Sequence, residues 1–169
     1  MDMELKTFLL EQLEKDAAAS RKVLEQVPEG HNDWKPHPRS MELGYLAALV
    51  ASMPGWPAFM IEKDEINIDG ADSGLRTMAV QTRAELLKML DEGLAKSREA
   101  FKKTSDAHLQ ENWRMRIGEQ VVSQGPRYDM IANGALSHAA HHRGQLTVYL
   151  RLNEAKVPAI YGPSADERF

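Results

Sequence analysis

The chain has 169 residues, a length that favours a single domain over residues 1–169, because domains commonly hold about 100–200 residues. Its 21 lysines and arginines against 25 aspartates and glutamates give a formal charge of −4, which argues against a nucleic-acid partner. Cysteine is absent, which excludes disulfides, thiolate metal sites and cysteine nucleophiles. No apolar run is long enough for a membrane span, and the charged N-terminus is unlike a secretory signal. We therefore expect a cytoplasmic protein with no membrane partner.

Two helices are predicted in the first third of the chain. The first runs from about residue 5 to residue 26, because its apolar positions recur at steps of three and four residues: Phe8, Leu9, Leu13, Ala17 and Leu24. The second follows Ser40, a plausible N-cap, and reads MELGYLAALVASM. That segment is apolar nearly all round, which is typical of a helix at the centre of a bundle.

The rest of the chain predicts two more long helices. The acidic stretch 64–74 reads as a loop, and Thr82 with Glu85 has the spacing of a capping box before a helix that ends near Lys103. Residues 104–126 are the least regular, and WRMRIGEQVV fits either an extended stretch or a short hairpin. A last helix runs from about 127 to 153. Four long helices predict an all-α four-helix bundle.

The last helix carries an unusual polar stripe. His138 and His142 are four residues apart, so their imidazoles project from one face about one turn apart and can reach one divalent cation. Gln145 and Tyr149 continue the stripe. The alternative is that the two histidines are hydrogen-bonded core residues. A catalytic zinc-type site usually has three protein ligands, and this helix supplies only two. Arg143, beside the stripe, is expected to pair with a carboxylate of another helix.

Three segments together resemble the DinB/YfiT-like metalloenzyme family: WKPHPRSMELGYLAALVASMPGW, HAAHHRGQLTVYLRLN and VPAIYGPSADE. The resemblance covers essentially the whole chain. It implies a bundle of four helices in up-down-down-up order, often a homodimer. It also implies a nickel or zinc ion held by three histidines at one end of the bundle, two of which match His138 and His142.

The chain departs from the family at the third histidine. In the family it lies on the second helix in a string resembling LGxLAxHVAxxPxW, and the matching position here is Leu49. Leucine has no lone pair to give. His37, in the loop before that helix, is a candidate substitute. Tyr45 and Ser52 lie near Leu49 on the helix, but neutral hydroxyls are poor ligands.

Two functions follow. By resemblance, the first is a metal-dependent enzyme, a thiol-dependent transferase or a hydrolase, with His138 and His142 as metal ligands and Gln145 or Tyr149 orienting a small-molecule substrate. The second is a metal-free protein that binds a small molecule in a pocket lined by Leu49, Tyr45, Gln145 and Tyr149. A third possibility is a dimer that acts through its surface, but the sequence has no surface motif that supports it.

Overall fold

The computed structural model describes residues 4–69 and 82–168. Long helices dominate it, and a small sheet is packed against them. In chain order the α-helices are α1 (Leu5–Leu24), α2 (Leu43–Ser52), α3 (Trp56–Glu62), α4 (Arg83–Lys103), α5 (Asp106–Gln110), α6 (Arg127–Met130) and α7 (His138–Leu152). The strands are β1 (Glu65–Asn67), β2 (Asn112–Ile117) and β3 (Gln120–Pro126).

The helix ends and buried faces follow the sequence signals with two exceptions. The capping box is present, since the Thr82 side chain accepts from the Glu85 N–H and the Glu85 side chain accepts from the Thr82 N–H. Ser40 is not the N-cap of α2, which begins at Leu43 after Glu42 with no side-chain capping bond. Phe8, expected on the inner face of α1, is 47% exposed.

The second predicted helix is a kinked helical run of three pieces. α2 leads into a 3₁₀ turn (Met53–Gly55) and then α3, and Pro54 and Pro57 interrupt the hydrogen bonding between them. The Ser97 hydroxyl of α4 enters this break: it donates to the Pro54 carbonyl at 2.6 Å and accepts from the Ala58 N–H at 3.1 Å. One buried hydroxyl thus satisfies two backbone groups that are four residues apart, which accounts for the kink.

The 3₁₀ turn approaches α4 so closely that two glycines face each other. A Cβ atom added at Gly93 would lie 2.9 Å from the Gly55 backbone nitrogen, and one added at Gly55 would lie 3.1 Å from the Gly93 Cα. Neither position has room for a larger residue without backbone movement. The approach brings α3, with Trp56 at its first position, against the rest of the bundle.

Contrary to the expectation from the sequence, the run from Leu43 to Glu62 is long and apolar enough to cross a membrane, the one such run in the parts of the chain that the structure describes. Its most apolar window is 72% buried inside the protein. That burial is the pattern of a central core helix, as the sequence predicted for this segment.

The expectation of an all-α four-helix bundle is confirmed in part: the described chain is mostly helical, but it also has a small three-stranded sheet. β1 pairs in parallel with β2, and β2 pairs with β3 in an antiparallel hairpin, in the order β1-β2-β3. The hairpin confirms one of the two readings of residues 104–126, with Gly118 at positive φ in its two-residue turn. β1 was expected to be loop; its three residues are ordered by Ile66, which is buried in the core, and by pairing with β2. Residues 70–74 of that expected loop lie outside the described residues.

The last predicted helix is a composite of α6, a π-helical segment (Ile131–Ser137) and α7. Arg127 and Arg143 are both 1% exposed, although residues sixteen apart in an uninterrupted α-helix point about 160° apart. A π segment takes more residues per turn and so reduces this rotation. It lets both arginines, and the histidine stripe between them, face the interior of the protein.

Two large apolar clusters fill the core. One joins α1 with α3, α4, α5, the sheet and the π segment, and it contains Leu13, Phe101, Leu109, Trp113 and Ile131. The other joins α1, α2, α4 and α7, and it contains Leu24, Leu46, Leu90, Leu146 and Leu150. A third, small cluster comprises Leu49, Met53 and Ala139, with Met41 and Trp56 packed against it.

Candidate metal centre

The two histidines of the stripe are in direct contact. The Nε2 atoms of His138 and His142 are 2.8 Å apart, and the ring centroids are separated by 4.6 Å. Both rings project from the first two turns of α7, as their four-residue spacing predicts. His142 is 6% exposed and His138 is partly buried. The structure therefore brings together the pair that the sequence singled out.

Gln145 sets the proton positions of this pair. Its Oε1 lies 2.8 Å from His142 Nδ1, and an amide oxygen only accepts, so His142 Nδ1 carries the proton. The lone pair of neutral His142 is then on Nε2, where it accepts from the Nε2–H of His138. This anchoring of the far ring nitrogen is the arrangement found around metal-bound histidines.

The environment keeps His142 neutral. Burial is the main cause that lowers its pKa below the ordinary 6.5, and the nearby His138 and His141 rings act in the same direction. The hydrogen bond with Gln145 opposes the shift. The His141 ring lies 5.0 Å from the His142 ring, but the residue itself is exposed. A neutral imidazole is the form that donates a lone pair to a metal.

Apolar side chains form the neighbouring wall. Trp56 meets the His138 ring edge to face, with centroids 5.5 Å apart, and it also packs against the cluster of Leu49, Met53 and Ala139. Leu49 and His138 thus share Trp56 as a common neighbour. The indole Nε1 of Trp56 is buried without a hydrogen-bond partner. Sequence reasoning does not find Trp56, because its Pro-Gly-Trp-Pro context signals no more than a kink.

The two tyrosines proposed for the pocket differ in their surroundings. Tyr45 is 50% exposed on α2 and makes no hydrogen bond to the described residues. The Tyr149 hydroxyl donates to the Met41 carbonyl at 3.1 Å, and its ring packs edge to face on Trp34. Tyr149 therefore secures the loop before α2, about two turns of helix beyond His142.

The remaining histidines have other partners. His31 is exposed and lies 3.2 Å from the Asn153 side chain, while His37 accepts from the Arg39 N–H at 3.1 Å in an exposed loop. His108 bonds to the Ile61 carbonyl at 3.0 Å and to Glu111 at 3.1 Å. Within residues 4–69 and 82–168, no group of three or more histidines, aspartates or glutamates is placed to share a metal ion.

Arg143 pairs with a carboxylate of another helix, as expected. Its Nη1 lies 2.7 Å from Asp16 Oδ1 and donates to the Ser20 hydroxyl at 2.9 Å, both on α1. Its Nη2 donates to the Tyr161 hydroxyl of the C-terminal segment. These contacts fix the rotation of α7 beside His142.

The family model described as DinB family matches residues 1–168. The chain belongs to the DinB family. The structure is similar to a DinB-like protein from Bacillus subtilis, with a TM-score of 0.62 and 17% identity, over 88% of this chain and 94% of that one. A DinB-like protein from Bacillus cereus gives 0.67 and 18%, over 90% of this chain and 95% of the other. No curated protein matches. At these identities the two structures support the fold alone.

The donor set of this DinB protein fits the metal implied by the resemblance only in part. Two zinc–nitrogen bonds of about 2.0–2.1 Å at a tetrahedral angle place their nitrogens about 3.3 Å apart, so the pair would have to open by about 0.5 Å. The His138 proton would also have to move to Nδ1. Those are small adjustments. The residue that the resemblance aligns with the third histidine is the apolar Leu49, which cannot coordinate.

The lowered pKa of His142 predicts how the stability of the metal-free protein depends on pH. Because the unfolded chain binds a proton that folded His142 resists, the free energy of unfolding should fall as the pH drops below about 6.5. His142→Gln removes the titrating group. Its free energy of unfolding should therefore fall less between about pH 7.5 and about pH 5.5, on either side of the ordinary imidazole pKa. Urea unfolding in the presence of a chelator measures both. His37→Gln, at an exposed histidine, is the control and should follow the wild type. Parallel falls in wild type and His142→Gln would contradict the prediction.

Proposed function

We propose that the His138–His142 pair is the functional centre of this DinB protein and that it holds a divalent nickel or zinc ion through both Nε2 atoms. The observation that carries the proposal is their approach to 2.8 Å, with the far nitrogen of His142 fixed by Gln145. Two protein ligands leave at least two positions of a four-coordinate ion open. A site of this kind binds the ion less tightly than a three-histidine site.

The activity we propose is a metal-dependent transfer or hydrolysis acting on a small molecule, with a low-molecular-weight thiol or water as nucleophile. The bound ion would lower the pKa of that thiol or water and so generate the nucleophile at neutral pH. Gln145 holds the His142 ring in the orientation that presents Nε2, and burial keeps this nitrogen unprotonated. The wall around Leu49 and Trp56 excludes water from one side and gives an apolar part of the substrate a surface to pack on.

A second candidate is favoured by Leu49 itself. It is 9% exposed and packs with Met53 and Ala139, so the position of the third ligand is an apolar contact. In this alternative the histidine pair is a polar, hydrogen-bonded group in a pocket that binds a small amphipathic molecule without a metal. The two candidates differ in whether the purified protein carries metal.

We also propose that the protein is a homodimer, as the family resemblance implies, and that it is cytoplasmic, as its composition suggests. Val148 and Leu152 are 56% and 54% exposed and lie one turn apart on α7, and Tyr45 is 50% exposed on the neighbouring α2. Apolar side chains exposed on adjacent helices suit an interface between two copies.

Light scattering tests the dimer. The wild type should give twice the chain mass, and Val148→Glu should give the mass of one chain. A wild-type monomer at working concentration would contradict this proposal.

Elemental analysis of untagged protein, purified without chelator, tests the metal site directly. We expect near-stoichiometric nickel or zinc in the wild type and none in the double variant His138→Ala, His142→Ala. The double variant His31→Ala, His37→Ala, which removes two exposed histidines, is the matched control and should retain the metal. A wild type that stays metal-free after soaking in nickel and zinc would refute the site and leave the metal-free candidate.

Leu49→His should complete the ligand set. A third imidazole beside the pair should raise nickel affinity at least roughly tenfold, a change of about 1.4 kcal/mol that competitive titration resolves. Leu49→Gln is the control, because it makes the wall polar without adding an imidazole, and it should leave the affinity near that of the wild type. Equal affinities in all three proteins would mean that position 49 does not face the histidines.

A further inference from the structure

A cavity of about 370 Å³ lies between α1 and the helical run that carries the histidines. Phe8 and Leu9 of α1 form one apolar wall, and Leu136 and Ala140 form the other. Ala140 is two positions after His138 and so about 200° further round the helix. The cavity therefore lies on the other side of α7 from the proposed metal centre, and its role is independent of that proposal.

The π segment forms part of this cavity. Ala132, Leu136 and Ser137 all line it, and all belong to the stretch with π-helical hydrogen bonding. π segments are rare and occur frequently at functional sites. The volume is also within the range of small-molecule pockets, about 300–1,000 Å³. The cavity and the helix irregularity are separate observations that coincide at one place.

Asp16 is the acidic group that lines the cavity, and one of its two carboxylate oxygens is paired with Arg143. Its side chain is 12% exposed, and its Oδ1 is paired with Arg143 Nη1 at 2.7 Å. Its Oδ2 accepts no hydrogen bond from the described residues. Burial raises the pKa of Asp16 even though Arg143 acts in the opposite direction, so one arginine contact does not compensate the carboxylate for its lost hydration.

Arg143 is buried and is already bound to α1 and to the C-terminal segment. It is 1% exposed, and its two terminal nitrogens donate to the Asp16 side chain and carbonyl, to Ser20 and to Tyr161. The Tyr161 ring also covers the guanidinium, with its centroid 5.6 Å away. Lys15, the other cation of the cavity, is exposed and stays hydrated. The carboxylate oxygen without a donor among the described residues is Asp16 Oδ2, and a cationic donor suits such an oxygen best.

We propose that this cavity binds a small primary amine with a short apolar tail. Its ammonium group donates to Asp16 Oδ2, and its tail packs between Phe8 and Leu9 on one side and Leu136 and Ala140 on the other. The bound amine, Asp16 and Arg143 then form a triad in which the carboxylate is shared by two cations.

Three ligands with the same tail and different head groups test this assignment: hexylamine, hexanol and hexanoate. Calorimetric titration should show saturable binding of hexylamine, at least roughly tenfold tighter than hexanol, with hexanoate the weakest. The methyl resonances of Leu136 and Ala140 should shift with hexylamine. Hexanoate binding as tightly as hexylamine, or hexylamine that does not saturate, would overturn the proposal.

Two variants separate the head group from the tail. Asp16→Asn keeps the size of the side chain, and it should weaken hexylamine binding roughly tenfold while leaving hexanol unchanged. Ala140→Phe fills the cavity, keeps the Asp16–Arg143 pair and should abolish binding of all three ligands. It therefore remains informative if Asp16→Asn does not fold. Full hexylamine affinity in a folded Asp16→Asn or in Ala140→Phe would refute the site.

Two further variants locate the bound amine. Lys15→Gln should leave hexylamine binding unchanged or tighten it, because it removes an exposed like charge. The double variant His138→Ala, His142→Ala should bind hexylamine as the wild type does. Loss of binding in that double variant would place the amine at the histidines and reject the cavity.

Discussion

The buried ion pair between Arg143 and Asp16 is the interaction on which the arrangement of the helices depends. A guanidinium that is 1% exposed has no access to water, so its charge must be met by α1 and by the C-terminal segment. Removing one partner of such a pair commonly costs about 3–5 kcal/mol, because the other charge is left buried and uncompensated. The pair therefore fixes the rotation of α7 against α1. His142, the preceding residue, then projects about 100° round the helix from Arg143.

The π segment makes that rotation compatible with the start of the same helical run. Arg127, at the beginning of α6, is buried as deeply as Arg143 and bonds to the Met60 carbonyl, to Asp64 and to Glu111. A regular α-helix would carry the two arginines to nearly opposite sides. The wider turns of the π segment between them allow both arginines to face the interior. They also open the surface that lines the cavity beside Asp16.

On this scaffold the histidine pair combines features of a metal ligand set with those of a packed core. The convergent Nε2 atoms and the Gln145 anchor are what a divalent ion requires. The apolar cluster around Leu49 is what a small hydrophobic ligand requires. In either case the fold of the DinB family supplies a rigid base, because Trp56 is positioned by the kink that Ser97 stabilises and by the close approach of Gly55 to Gly93.

The sequence by itself determined the long helices, the capping box of α4 and the histidine pair of the candidate site. These features depend on spacing along one chain: the four-residue step of His138 and His142, the Thr82–Glu85 capping box and the apolar repeat of α4. Sequence could also predict that Arg143 meets a carboxylate. It could not select Asp16, because that choice depends on how two helices pack.

Only the tertiary structure decided the features that join distant segments. β1 is a strand because β2, nearly fifty residues later, offers it hydrogen bonds, and three residues carry no pattern of their own. The π segment exists because two buried arginines must be accommodated together, and Trp56 meets His138 because Ser97 of α4 enters a break between two prolines. Local spacing fixes what a helix presents on each face, whereas long-range hydrogen bonds and buried charges decide which face meets which neighbour.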